Sequence, residues 1–321
     1  MSKVIVFGSL NMDLTIECDR MPRMGETLTG RNFLLNAGGK GANQAVAAAR
    51  LGADVHMLGA VGTDVFGDSL RASLEQAGVD CGRLQRIEGT PTGVASITRV
   101  AGDNCIVLDP GANHVLRPKD VKAALDELAY PGDIFLTQLE CDIPSTFAAL
   151  AEAHRRGLYT IFNPAPAVSV PRETWKSVDL VCLNETECEI VTGVFPDSDD
   201  AARRAMELLI SWGVSTVALT LGAQGSRVLS GDTWISSLPP SVEVADTTGA
   251  GDTYIGALAM ARARGLSLEE AIAWATHASA LACTRVGAQQ AIPSASDVMS
   301  SLGTGVPGDK MSSPGTGLAG D

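Results

Sequence analysis

Short apolar runs of strand length alternate with helix-period segments along most of these 321 residues, and few architectures tolerate that order. "KVIVFGSL" reads as a strand, "GANQAVAAARLG" as a helix ending at Gly52, and "DVHMLGAVG" as the next strand. The theme returns in "DIFLTQ" before "PSTFAALAEAHRRG", then in "YTIFNPAPA". It continues in "SVDLVCLN" before "ETECEIVTG", and in the long helix "DAARRAMELLISWG" before "VSTVALTLG". Such alternation predicts an α/β fold with a mostly parallel central sheet and helices on both faces. Ligands in that architecture gather at the carboxyl ends of the strands. Aromatic residues make up only 4%, so these layers must pack through Ala, Val, Leu and Ile.

Two stretches, 13–37 and 92–111, break the alternation: both read as extended segments with turns and neither carries a helix. They predict a small separate β-sheet lying as a lid over one end of the main sheet, within one domain spanning 1–302. The remaining 303–321 has no apolar periodicity and is dominated by Gly, Pro and Ser, which predicts a disordered tail outside the function.

The formal charge of -13 and the lack of a basic run argue against a nucleic-acid partner. A phosphorylated small substrate stays open, since helix N-termini and magnesium bind phosphate without net positive charge. No apolar stretch approaches the roughly 20 residues that cross a bilayer, and the N-terminus turns polar too soon for a signal peptide. Neither membrane association nor export is expected, and a cytoplasmic location follows. The seven cysteines are scattered without a CxxC pair, so buried free thiols are expected rather than disulfides or a metal site.

Several motifs carry chemistry. In "DTTGAGDTYIGA" a strand-like "SVEVAD" runs into glycines and then a helix from Asp252 to Gly265. Backbone N–H groups of Gly249, Ala250 and Gly251 at that helix entrance would converge on an anion. Asp252 beside them suits a base that takes a proton from an attacking hydroxyl. A glycine-rich turn with an acid at the positive helix end explains the same residues, and the motif alone leaves both open. "NAGGKGANQAVAAARLGA" is a second glycine-rich helix entrance, whose Lys40 and Asn43 suit a polyhydroxylated ligand. It lacks the GxxxxGK[ST] of a P-loop and the GxGxxG of a dinucleotide site. Asn11 and Asp13, two apart at the end of the first strand, project to one side and could chelate neighbouring hydroxyls, or they are turn residues. Glu140 closes another strand. "NETE" reads foremost as a helix start, with Asn184 as cap and Glu187 in the first turn.

Taken together, "GSLNMDL", "PRMGETLTG", "GGKGANQAVAAARLGA", "NPAPA", "NETE", "TLGAQG", "DTTGAGDTYIGAL" and "TRVGAQQAIP" resemble the ribokinase-like (PfkB) sugar kinases, in the family's order, over residues 3 to 300. "GGKGANQA" with "NPAPA" and "TRVGAQ" is similar to the branch that phosphorylates ribose. The resemblance implies the ribokinase-like three-layer sandwich with a β-lid, and transfer of a phosphoryl group from ATP to the 5-hydroxyl of D-ribose. It implies sugar contacts from Asn11, Asp13, Gly39, Lys40, Asn43, Glu140 and Asp252, with Asp252 the base and residues 249–251 the anion hole. Nucleotide contacts would come from Asn184, Thr220, Leu221, Gly222, Ala223, Gln224, Gly225, Gly251 and Thr276. Mg2+ would accompany ATP near Glu187. An activating K+ would lie among Asp246, Thr248, Ala282, Arg285, Gly287 and Ala291, mostly through backbone carbonyls. Two positions depart from the family: Ala291 stands where serine is common, and Thr276 where Asn or His is usual, with His277 displaced by one. The lid is expected to pair with a second subunit's lid in a homodimer. Competing readings are a kinase for 2-deoxyribose or another sugar or nucleoside, a non-catalytic sugar sensor, and a dinucleotide-dependent oxidoreductase.

Overall fold

The computed structural model describes residues 2–100 and 103–303. In chain order the strands are β1 (Lys3–Phe7), β2 (Asn11–Glu17), β3 (Arg31–Gly38), β4 (Asp54–Gly62), β5 (Leu84–Ile87), β6 (Gly93–Val100) and β7 (Asp103–Asp109). They continue with β8 (Ile134–Thr137), β9 (Tyr159–Phe162), β10 (Leu180–Asn184), β11 (Thr216–Thr220), β12 (Ser226–Ser230) and β13 (Thr233–Ser237). A nine-stranded sheet runs β13-β12-β11-β10-β9-β8-β1-β4-β5, parallel except at the β11/β12 and β12/β13 pairings. A second sheet, β3-β2-β6-β7, is the lid read from the two extended stretches.

β1 shows why the main sheet needs helices on both faces. Val4 and Val6 face one apolar cluster, Ile5 and Phe7 the other, and all four are fully buried. The first cluster is completed by the helices Lys40–Arg50, Ala250–Ala263 and Leu268–Ala282, the second by Pro118–Leu128, Ile143–Arg155 and Asp199–Ser211. The result is a three-layer sandwich. Alanine-rich helix faces let Ala250–Ala263 lie close against its neighbours, and eleven of its residues are buried.

Some expectations need correction. "SVEVAD" forms no strand: the N–H groups of Ala245 and Asp246 both donate to the Cys283 carbonyl, so its backbone is satisfied by a loop and not by a ladder. Asn11 and Asp13 do not end the first strand, which stops at Phe7; they lie on β2, in the lid. All seven cysteines are free, but Cys105 is exposed on β7. Apart from Gly303, the expected disordered tail lies outside the described residues, as do 101–102 of the second lid stretch. Among the described residues no helix is long and apolar enough to cross a membrane.

Candidate active site

The helix Lys40–Arg50 begins against the chain leaving β1. A Cβ at Gly41 would fall 2.5 Å from Gly8 Cα, so only glycine permits that approach. Ala42 N–H then donates to the Ser9 carbonyl at 2.9 Å, locking the contact. Glu140, beyond β8, gathers what this brings together. Its Oε2 accepts from Ser9 Oγ at 2.5 Å, Lys40 N–H at 3.1 Å and Asn11 Nδ2 at 3.3 Å. Asn113 Nδ2 donates to Asn11 Oδ1 at 2.8 Å, which turns the Asn11 nitrogen toward Glu140.

Asp13 lies two residues along β2 and is half-buried. Burial, then the neighbouring charges of Glu140 and Asp252, push its carboxyl up to about 7. Burial also raises Glu187, against the opposing pull of Lys40. For Lys40, burial acts to lower the ammonium, but Asp252, Glu140 and Glu187 together outweigh it and the net direction is up. One ammonium is thus held charged by three surrounding carboxyl groups.

Asp252 sits in the first turn of Ala250–Ala263 and is buried. The helix is entered through Gly249 at φ 74°, a left-handed conformation that suits glycine. Asn43 Nδ2 donates to Asp252 Oδ2 at 3.0 Å and Gln44 Nε2 to Oδ1 at 2.9 Å. Gln44 Nε2 also reaches Asn163 Oδ1 at 3.2 Å, and Asn163 Nδ2 donates to the Cys182 carbonyl at 3.1 Å.

A polar cavity of about 190 Å³ opens before this group, lined by Lys40, Asn163, Asn184, Glu187, Thr220, Gly249, Gly251 and Asp252 among others. Beside it runs a groove of about 590 Å³ with a largely apolar lining. Asn184, Thr220 and Gly251 line both, so the two spaces meet at the entrance of the Asp252 helix. Gly222, Ala223, Gly225, Ala250, Tyr254 and Thr276 also line the groove.

Not every expected residue joins the site. Leu221 is buried in the second core cluster, and Gln224 is exposed outside the groove lining. His277 turns away, its Nδ1 2.8 Å from Ser301 Oγ. Asn184 and Glu187 do form a reciprocal capping box, at 2.8 and 3.1 Å, while both also line the polar cavity.

The remaining expected residues lie on two segments near the same helix entrance, Asp246 and Thr248 just before it, and Ala282, Arg285, Gly287 and Ala291 at and beyond the end of Leu268–Ala282. Asp246 Oδ1 accepts from Thr248 N–H at 2.9 Å and Thr248 Oγ1 at 2.6 Å, and Oδ2 accepts from Gly287 N–H at 3.0 Å. Arg99 of the lid strand β6 approaches to 3.7 Å. Burial would raise the Asp246 carboxyl, but those donors and Arg99 hold it below its ordinary value. Ala282 and Ala291 are buried, whereas the Arg285 side chain is exposed. Among the described residues no group of three His, Cys, Asp or Glu is placed to hold a metal ion.

Ser9, Gln44, Asn113, Asn163 and Gln289 were not singled out as site residues from the sequence. The available signal was chemical: Asn43 and Gln44 interrupt a run of alanines on a helix that must bury that face, so both amides need partners.

The pfkB family carbohydrate kinase pattern matches residues 1–295. The chain belongs to the pfkB family of carbohydrate kinases. Within it, the chain is 36% identical to the ribokinase of Haemophilus influenzae over 306 residues, 92% of this chain and 97% of that protein. It is 34% identical to a Salmonella typhi deoxyribokinase over 293 residues, 91% and 95% of the two chains. The structure of Arabidopsis thaliana ribokinase complexed with ribose and ATP superposes with a TM-score of 0.86 at 30% identity, covering 94% of this chain and 98% of that one. This pfkB kinase is therefore an enzyme with the ribokinase-like fold, and the expected oxidoreductase alternative is displaced by the family assignment.

Proposed function

We propose that this kinase transfers the terminal phosphoryl group of ATP to the 5-hydroxyl of D-ribose, giving ribose 5-phosphate and ADP, with residues 1–302 acting as one catalytic unit. The observation that carries the reading is the position of Asp252. It lines the polar cavity beside Gly251, where that cavity and the groove meet, in the first turn of a helix. Sugar hydroxyls would be met by Asn11, Asp13, Gly39, Lys40, Asn43 and Glu140, and the nucleotide would lie along Gly222, Ala223, Gly225 and Thr276. Asp252 then accepts the proton of the attacking hydroxyl, while the amides of Gly249, Ala250 and Gly251 offset charge on the moving phosphoryl group. Lid closure over the sugar excludes water as a competing acceptor.

With no cluster of acids among the described residues fit to hold a divalent ion unaided, Mg2+ would enter on the nucleotide phosphates with Glu187 and Asn184 nearest, neutralising phosphate charge. The Asp246 carboxylate is already engaged by Thr248 and by the Gly287 N–H. A K+ ion there would therefore rest on main-chain carbonyls of Asp246, Thr248, Ala282, Arg285, Gly287 and Ala291, which the Ala291 side chain does not prevent. The lid supports a homodimer. Leu35 and Val107 fall on one cross-strand row, on the face opposite Asp13, and with Phe33 are 51%, 69% and 57% exposed. A cytoplasmic location completes the proposal.

A second reading, a kinase for 2-deoxyribose, is favoured by one observation: the deoxyribokinase relative is nearly as similar as the ribokinases. Following ADP release from Mg-ATP across a panel of pentoses, with K+ or Na+ as the salt, tests both. Ribose-dependent ADP is the expected result. Faster turnover of 2-deoxyribose would move the assignment to the second reading. Failure of every sugar would overturn the kinase proposal in favour of a sugar sensor.

A further inference from the structure

The cavity-facing carboxylate of Asp252 is the end of two buried amide chains, of which the proposed mechanism uses only Asn43. The first runs from Gln138, whose Nε2 donates to Gln44 Oε1 at 2.6 Å, to Gln44 Nε2 and thence to Asp252 Oδ1 at 2.9 Å. The second starts at Ser73, whose Oγ donates to Gln289 Oε1 at 2.9 Å. Gln289 Nε2 donates to Asn43 Oδ1 at 3.2 Å, and Asn43 Nδ2 to Asp252 Oδ2 at 3.0 Å. Gln44 is fully buried and Gln138, Gln289 and Asn43 are 1%, 3% and 7% exposed, so water does not substitute for these partners.

The carboxylate fixes the sense of both chains. An ionised acid only accepts, so Gln44 and Asn43 must each turn a nitrogen toward it. Each then presents an oxygen outward, which the next amide must meet with its own nitrogen. Every dipole in both chains points its positive end at Asp252, and aligned dipoles in a low-dielectric interior reinforce one another. Such an arrangement fixes the plane of the carboxylate.

We propose that Gln44 and Gln289 are positioning residues for the phosphoryl transfer: each holds one oxygen of Asp252, directly or through Asn43, and so keeps a lone pair aimed into the cavity. This inference rests on Asp252 being the base. The test is steady-state kinetics for Gln44→Met and Gln289→Met, which keep side-chain length and remove the donor, alongside Asp252→Asn. The expected outcome for Gln44→Met is a kcat lower by roughly tenfold to a hundredfold, the cost of a misplaced reacting group, with the sugar KM within about twofold. Gln289→Met, one amide further away, should lower kcat in the same way by less, and provides the test should Gln44→Met not fold. Wild-type kcat in the folded glutamine variants, or a fall in kcat accompanied by an equal rise in sugar KM, with Asp252→Asn inactive, would overturn the positioning role alone. Full activity in Asp252→Asn would instead remove Asp252 as the base.

Discussion

The two spaces that meet at Asp252 are built by opposite strategies. Lys40 lines the polar cavity, and toward the lid Asn11, Asp13 and Glu140 add amide and acidic side chains, with Asn11 and Glu140 held by hydrogen bonds. The groove is bounded instead by Gly222, Ala223, Gly225, Ala250, Gly251 and Ala280, with prolines and valines along one edge. Its shape comes from backbone and small residues. The contrast teaches where selectivity resides. A site that hydrogen-bonds hydroxyls with buried charged groups rejects an analogue lacking one, because the partner is left unpaired. A groove of backbone and small side chains selects by fit.

Substitutions can break or sharpen that contrast. The largest effect is expected at the junction itself. Asp252→Ala should lower kcat by roughly 100-fold or more with an unchanged circular dichroism spectrum; near-normal turnover would remove the base. Next, Glu140→Ala strands Ser9, Asn11 and the Lys40 amide, and should raise the sugar KM by roughly 10- to 100-fold while the ATP KM moves less than about twofold. Equal rises in both constants would erase the distinction between the two sides. Gly251→Ala is the complementary probe, since an added Cβ there meets nothing within 4 Å and protrudes into the shared space. Its kcat should fall roughly tenfold by crowding the phosphoryl position. Its melting temperature should hold or rise, because alanine is better than glycine in a helix by about 1 kcal/mol.

Asp13 gives a pH test of modest size. Burial and its acidic neighbours push its carboxyl up to about 7 in the folded state, against an ordinary value of 3.8. The folded state therefore binds an extra proton between those values, and stability falls as pH rises through that window. Asp13→Asn should show a smaller loss of melting temperature between about pH 5 and about pH 8 than the parent; an equal loss would place the titration elsewhere. Least affected in catalysis should be Val107→Asp on the outer lid face. It should halve the mass seen by light scattering while changing kcat per protomer by less than about twofold. An unchanged mass would refute lid pairing.

The alternation of strand and helix was legible because it is local: burial on both faces of β4 or β8 writes itself into consecutive residues. The hairpin β12–β13 was missed since β13 has no fully buried residue and so carries no apolar period that would pair it with β12. "SVEVAD" misled for the converse reason, an alternating pattern whose hydrogen bonds go to Cys283 across a loop. At the site, Asp252, Glu140 and Asn43 stood out by type and neighbourhood. Their supporting residues could not, because Gln289 meets Asn43 across 246 positions and Gln44 meets Gln138 across 94. Spacing along a chain carries no trace of such meetings.

The helix that bears Asp252 is enclosed along nearly its whole length, whereas β7 of the lid is exposed from end to end. Gentle warming should therefore unfasten the cover long before it disturbs the base. An aliquot held just below its melting transition would lose its grip on the sugar first, cooling would restore it, and only outright denaturation would abolish chemistry for good.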